Sequence, residues 1–267
     1  MSAPAPLPAV NVLGTRVNTL NLPAAMALLE QWVQGGSWGR YVCFATANGL
    51  TAGVRDEAVR AAFNGADACM PDGMPLVWIG RLRGHASTDR VYGPDLMLAT
   101  LAVSAQKGYT NYFYGGADTV ASELQARMQQ RFPALRVVGT YTPPFRALTD
   151  VEMTEVVDRI SAASPDFLWI GLGSPKQEQF MAAARVRVRA RVMLGVGAAF
   201  DFHSGRVRQA LRWMQRGGME WLFRLCMDPR RLGRRYLLGN PLFLMHLACQ
   251  ALGLRKYPDE GTTCKPG

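Results

Sequence analysis

The stretch MPDGMPLVWIG, residues 70–80, sets one carboxylate, Asp72, between a proline and a glycine ahead of an apolar run. An aspartate at such a turn has two uses: its side chain can cap the helix that starts beyond it, or act as a general base toward a hydroxyl if partial burial raises its proton affinity. Composition does not choose between them. A second stretch, IGLGSPKQEQF (170–180), follows an apolar run and ends in a helix start. Ser174 there is a natural N-cap, Pro175 suits the first helical position, and Gln177 would complete a capping box. The same turn offers backbone N–H groups from Gly171, Gly173 and Ser174 to an anion, with the charge of Lys176 beside them. A third, FATANGLT (44–51), puts Thr46 and Asn48 after a β-rich run, where they suit sugar hydroxyls or an Asn-Gly turn.

The charge of the chain is lopsided. Of the net +10, the window 205–236 supplies most, with nine arginines (206, 208, 212, 216, 224, 230, 231, 234 and 235) against Glu220 and Asp228. Trp213, Trp221, Phe223 and Tyr236 lie among them. Basic helices interleaved with aromatics suit an anionic lipid surface or a phosphorylated ligand, and equally a solvated helix face. Arg224, Arg231 and Arg234 share a face if one helix carries all three, a condition that a break at Asp228-Pro229 would remove. Nucleic acid would suit the same chemistry, but no nucleic-acid-binding motif accompanies it, so none is expected as a partner.

Other chemistries find little support. Neither glycine turn spells a full dinucleotide fingerprint or a phosphate loop. There is no D-x-D or HExxH, only three histidines, and five cysteines with no CxxC spacing. Neither a disulfide framework nor a clustered metal site is expected, and no cofactor. The start, MSAPAPLPAVNVLG, lacks the pattern of a secretory signal and reads as a short unstructured lead. The apolar stretch 241–254 is too short to span a bilayer. The cytoplasm is the expected compartment.

The elements that position these residues alternate. Runs 41–46, 110–116, 135–141, 166–173 and 191–201 read as strands, and helical patterns lie near 22–34, 50–64, 75–82, 94–107, 118–131, 149–163 and 175–188. That alternation predicts an α/β fold, a Rossmann-like, mostly parallel sheet with helices on both faces and ligands beyond the carboxyl ends of its strands. From about 205 the pattern becomes helical only, in separate segments 208–218, 219–229, 230–240 and 241–254, with a loose end after Leu254. The expected organisation is a core over 1–205 and a helical appendage over 206–267.

Several stretches together resemble the WecG/TagA/CpsF glycosyltransferases, glycosyltransferase family 26: ATANGLT (45–51), ADACMPDGMPLVW (66–78), DRVYGPDL (89–96), YFYGG (112–116), IGLGSPKQEQF (170–180), GVGAAFDFHSG (195–205) and GMEWLFRLCMDPRRLGRRYL (218–237). They occur in order over most of the chain. The resemblance implies an inverting, metal-independent transferase that moves a sugar of the N-acetylmannosamine, glucose or glucuronic acid class. The donor would be a UDP-sugar and the acceptor a polyprenyl-diphosphate-linked saccharide, in bacterial surface polysaccharide synthesis at the inner membrane face. By motif it makes Asp72 the base, Thr46, Asn48, Arg90 and Gln177 substrate contacts, and Arg224, Arg231 and Arg234 contacts to the UDP diphosphate. It also implies an appendage that completes the site and docks on the membrane, and allows a homo-oligomer. Leu211, where proline is expected, and His203, where an apolar residue is usual, depart from the pattern. A non-catalytic nucleotide- or membrane-binding module, with Asp72 and Gln177 as caps, is the competing reading.

Overall fold

The computed structural model describes residues 6–258. In chain order its elements are β1 (Ala9–Val12), β2 (Thr15–Asn18), α1 (Leu22–Gln34), β3 (Arg40–Ala45), α2 (Ala47–Arg55), α3 (Glu57–Asn64), β4 (Ala68–Pro71), α4 (Met74–Leu82), α5 (Gly93–Lys107), β5 (Thr110–Gly115), α6 (Val120–Arg131), β6 (Arg136–Tyr141), α7 (Asp150–Ala163), β7 (Phe167–Gly171), α8 (Lys176–Ala184), β8 (Val192–Gly195), α9 (Ala199–His203), α10 (Arg212–Arg216), α11 (Glu220–Met227) and α12 (Pro229–Ala251). Six strands form one sheet in the order β4-β3-β8-β7-β5-β6, and β1 and β2 pair separately as an antiparallel hairpin. The pairings of β3 with β8, β8 with β7, β7 with β5 and β5 with β6 are all parallel. The fold is the expected α/β class, with helices alone at the C-terminal end.

Two compact units make up the chain. One takes the described parts of Met1–Asn21, Phe44–Val91 and Gln209–Gly267; the other takes Leu22–Cys43 and Tyr92–Arg208. The helical stretch from Gln209 is therefore grouped with the residues around Thr46 and Asp72, although it is remote from them in sequence.

In the second unit, the parallel strands are near-continuous apolar runs because they are covered. Phe167, Leu168, Trp169 and Ile170 of β7 and Val192, Met193 and Leu194 of β8 are all buried. The buried Trp169 indole donates to Asn111 Oδ1 at 3.0 Å, so its one polar atom is satisfied. Register puts Gly115 beside Gly171 and Ile170 beside Gly195, which brings the ends of β5, β7 and β8 level. Gly115, at φ +113, lies so close to Gly171 that a Cβ would sit 2.8 Å from its carbonyl carbon. Only glycine suits that conformation and that approach.

The first unit corrects several sequence expectations. The expected unstructured lead contains β1, which pairs with β2 through a tight turn at Leu13 and Gly14, both at positive φ. The helix read over 50–64 is two helices, because Asp56 is extended, ends α2, and caps α3 by accepting from the N–H groups of Ala58 and Val59. The segments 230–240 and 241–254 are one helix running through Pro241. Proline at 241 forfeits one helical hydrogen bond, which the burial of Phe243 and His246, two and five residues later, offsets. The expected loose end is held as far as it is described: Asn11 Nδ2 donates to the Tyr257 carbonyl at 2.8 Å, and the Tyr257 hydroxyl is 2.8 Å from His246 Nδ1. Residues 259–267 lie outside the described part.

Candidate functional site

Asp72 directly follows β4, and its N–H donates to the carbonyl of Ala45 at the end of β3. The cap of α4 is Gly73, with no side-chain capping bond, so the carboxylate of Asp72 is not occupied as a cap. It faces Arg90 instead. The Arg90 Nε donates to the Asp72 carbonyl oxygen, and its terminal nitrogen lies 3.1 Å from Asp72 Oδ1. The same terminal nitrogen lies 2.6 Å from Glu220 Oε2, so one guanidinium bridges two carboxylates. The three side chains are 15%, 16% and 12% exposed in the order Asp72, Arg90, Glu220. Burial pushes the Asp72 carboxyl up to about 6; the Glu220 charge adds to this, while Arg90 and Arg224 oppose it. Among the described residues Asp72 Oδ2 has no hydrogen bond. An aspartate with one oxygen fixed, one open and its proton affinity raised toward neutral has the properties of a general base.

Thr46 and Asn48 open α2. Thr46 is its N-cap, with Oγ1 accepting from the Gly49 N–H at 3.2 Å. Asn48 and Gly49 belong to the first helical turn, so the Asn-Gly turn is not formed. Asn48 lines a cleft of about 510 Å³ with Thr51, Ala52 and Arg55 of α2 and Arg234, Leu238, Gly239 and Leu242 of α12. The helices approach closely here: a Cβ on Gly239 would collide with the amide oxygen of Asn48.

In the second unit, the loop after β7 does not form the expected capping box. The Ser174–Pro175 peptide is cis, α8 begins at Lys176, and the cap position holds Pro175 without a side-chain bond. Gln177 turns inward, 4% exposed, and its Nε2 donates to Gly195 O at the end of β8 and to Glu178 Oε1. Its Oε1 and the Ser174 Oγ are buried without a hydrogen-bond partner among the described residues. Both stand beside glycine turns: a Cβ on Gly197 would sit 3.3 Å from Gln177 Oε1 and 3.8 Å from Gly173 Cα. Buried polar atoms without partners are costly, so this cradle is suited to a polar ligand. Lys176 is exposed, and its ammonium lies 5.2 Å from the centre of the Phe145 ring.

The arginine face does not survive as one face. Asp228 breaks the backbone, leaving Arg224 on α11 and Arg231 and Arg234 on α12. Arg224 acts electrostatically on Asp72, Arg234 lines the cleft, and the side chain of Arg231 lies outside what is described. Of the two departures, His203 sets its Nε2 2.8 Å from the Pro94 carbonyl, and Leu211 is the extended residue before α10. Sequence reasoning passed over Glu220. The available signal was its isolation: one of two acids in an arginine-rich, aromatic stretch, which has to find a cation if it is buried.

A sequence profile of the "Glycosyl transferase WecG/TagA/CpsF family" matches residues 10–257. The chain belongs to that family. It is similar to N-acetylglucosaminyldiphosphoundecaprenol N-acetyl-beta-D-mannosaminyltransferases from three bacteria. With that of Bacillus spizizenii it is 33% identical over 69% of each chain; with that of Bacillus subtilis, 28% over 73% of each. The Staphylococcus aureus protein is 27% identical over 72% of this chain and 73% of its own. The protein is thus a sugar transferase of the WecG/TagA/CpsF family. Among its described residues no helix is long and apolar enough to cross a membrane.

Proposed function

We propose that the protein transfers N-acetylmannosamine from its UDP derivative to an N-acetylglucosaminyl-diphosphoundecaprenol acceptor, in the synthesis of a bacterial cell-surface polymer. The choice of sugar and acceptor is supported by the names that the three relatives share. The observation that carries the chemistry is Asp72, fixed at Oδ1 by Arg90, open at Oδ2, and raised to about 6.

In this reading Asp72 takes the proton from the acceptor hydroxyl as that oxygen bonds to the anomeric carbon. The bond from that carbon to the β-phosphate oxygen breaks, UDP leaves with the electron pair, and the carbon inverts. No metal is assigned. Charge developing on the diphosphate is met by fixed cations and backbone donors, with Arg224 the arginine that the Asp72 electrostatics favour for it. Thr46 and Asn48, in the unit that carries Asp72, serve the acceptor sugar; in the other unit the Ser174 and Gln177 oxygens suit polar groups of a UDP ligand. The exposed Trp221, Leu222 and Met227 of α11 and Leu237, Leu238, Leu244 and Met245 of α12, among arginines, suit the cytoplasmic leaflet that carries the lipid acceptor.

The test is UDP release from UDP-N-acetylmannosamine and detergent-dispersed acceptor in EDTA, by wild type and Asp72→Asn. Release by wild type with loss of at least about a hundredfold in the variant is expected, the range of a general base. Equal release by both would remove Asp72 from the reaction, and a need for divalent metal would overturn the metal-free mechanism.

A further inference from the structure

We propose that Glu220 is a positioning residue for the transfer reaction, holding Arg90 in a shared pairing so that Asp72 is oriented by the guanidinium without being fully neutralised by it. The inference rests on the reading of Asp72 as the base.

An aspartate paired with its own arginine is well placed and a poor base, because the cation stabilises the carboxylate and lowers its proton affinity. An aspartate with no cation beside it is a better base with nothing to hold its rotamer. Here the terminal nitrogen of Arg90 lies closer to Glu220, at 2.6 Å, than to Asp72, at 3.1 Å. Arg90 is also tied by its Nε to the Asp72 backbone carbonyl, which fixes the plane of the guanidinium independently of the Asp72 side chain. Among the described residues the charges that act on Asp72 are Arg90 from the loop before α5, and Glu220 and Arg224 from α11. Glu220 adds a negative charge to that group and takes up part of the positive one.

Glu220 therefore raises the affinity of Asp72 for a proton in two ways, by direct repulsion and by competing for Arg90. Its pairing with Arg90 explains why α11, within an arginine-rich, aromatic stretch, opens on a nearly buried acid. Glu220 is flanked by Met219 and Trp221, both partly exposed, so the segment that carries the apolar surface also carries the group that sets the base.

The experiment follows the titration of the Asp72 side-chain carbon by NMR in the full chain, without substrate, in wild type and Glu220→Gln. Glutamine keeps an oxygen for Arg90 and removes the charge. The expected result is a downward move of the Asp72 titration midpoint by at least about one pH unit, since two charges about 6 Å apart at an effective dielectric of about 20 interact by enough for twice that. Glu220→Asp, which retains the charge on a shorter arm, is expected to fall between the two and gives a second reading if the glutamine variant folds poorly. An unchanged midpoint in both variants overturns the proposal. The pH profile of transfer separates this from the parent reading. If Glu220 tunes the base, the acid limb of the Glu220→Gln profile moves to lower pH and its plateau falls severalfold. A purely structural role would lower the rate equally at every pH, and so would sink the tuning. A moved NMR midpoint with an unmoved acid limb would leave the Arg90 sharing in place and remove Asp72 as the base.

Discussion

Replacing Asp72 with asparagine should make the protein more stable at neutral and alkaline pH. The folded protein holds the Asp72 carboxyl at about 6 against an ordinary value of 3.8. The folded state therefore binds this proton more tightly than the unfolded state does. Between pH 3.8 and 6 the unfolded chain gives the proton up first, so stability falls as pH rises through that window, and above it the cost is constant. A difference of roughly 2 pH units corresponds to about 3 kcal/mol. The site is only 15% exposed, so solvent screens little of this. Arg90 and Arg224 already oppose the shift, so the figure is net of their attraction. Asparagine has nearly the same shape and no charge, and should recover about 2 to 3 kcal/mol at pH 8, a rise in melting temperature of about 5–10 °C for a chain of this size. At pH 4 the two proteins should melt together. Thermal unfolding from pH 4 to 8 reads the difference directly. A variant no more stable than wild type at pH 8, or a gain of equal size at pH 4, would refute the argument that the ionised carboxylate is held at a cost. A gain at pH 8 together with lost transfer would mark Asp72 as a group kept for chemistry at the expense of stability.

Three further outcomes are expected. Ser174→Ala should leave stability unchanged or slightly higher, because the buried hydroxyl has no partner among the described residues, while UDP affinity measured by calorimetry falls by up to about tenfold, the worth of one hydrogen bond. On α12, Gly233→Ala should stabilise by up to about 1 kcal/mol from helix propensity, since no described atom lies within 4 Å of the new Cβ; Gly239→Ala should lose that gain and weaken acceptor binding by displacing Asn48, as thermal melts and acceptor KM will show. Binding to vesicles rich in anionic lipid should weaken on going from low to high salt, and Leu237→Gln with Leu244→Gln should reduce the salt-resistant part at least tenfold in a sedimentation assay.

The sheet was legible because buried parallel strands declare themselves as short apolar runs separated by helices, and β3, β5, β6, β7 and β8 fall where those runs predict. What escaped was local backbone geometry decided by tertiary contact. Ser174, Pro175 and Gln177 are the right residues for a capping box, yet Gln177 bonds the end of β8 instead, a partner 18 residues away in sequence that no local pattern registers. Pro241 carries a strong local signal to stop a helix, and the packing of Phe243 and His246 overrides it. The candidate base was visible as Asp72 through its turn and motif, but its electrostatic setting was not, because the decisive partner lies 130 residues from Arg90. A residue's type and spacing can nominate it for proton transfer. Its proton affinity is set by charges brought beside it through the fold, and in this protein one of them is an acid from a stretch, 205–236, in which arginines far outnumber acids.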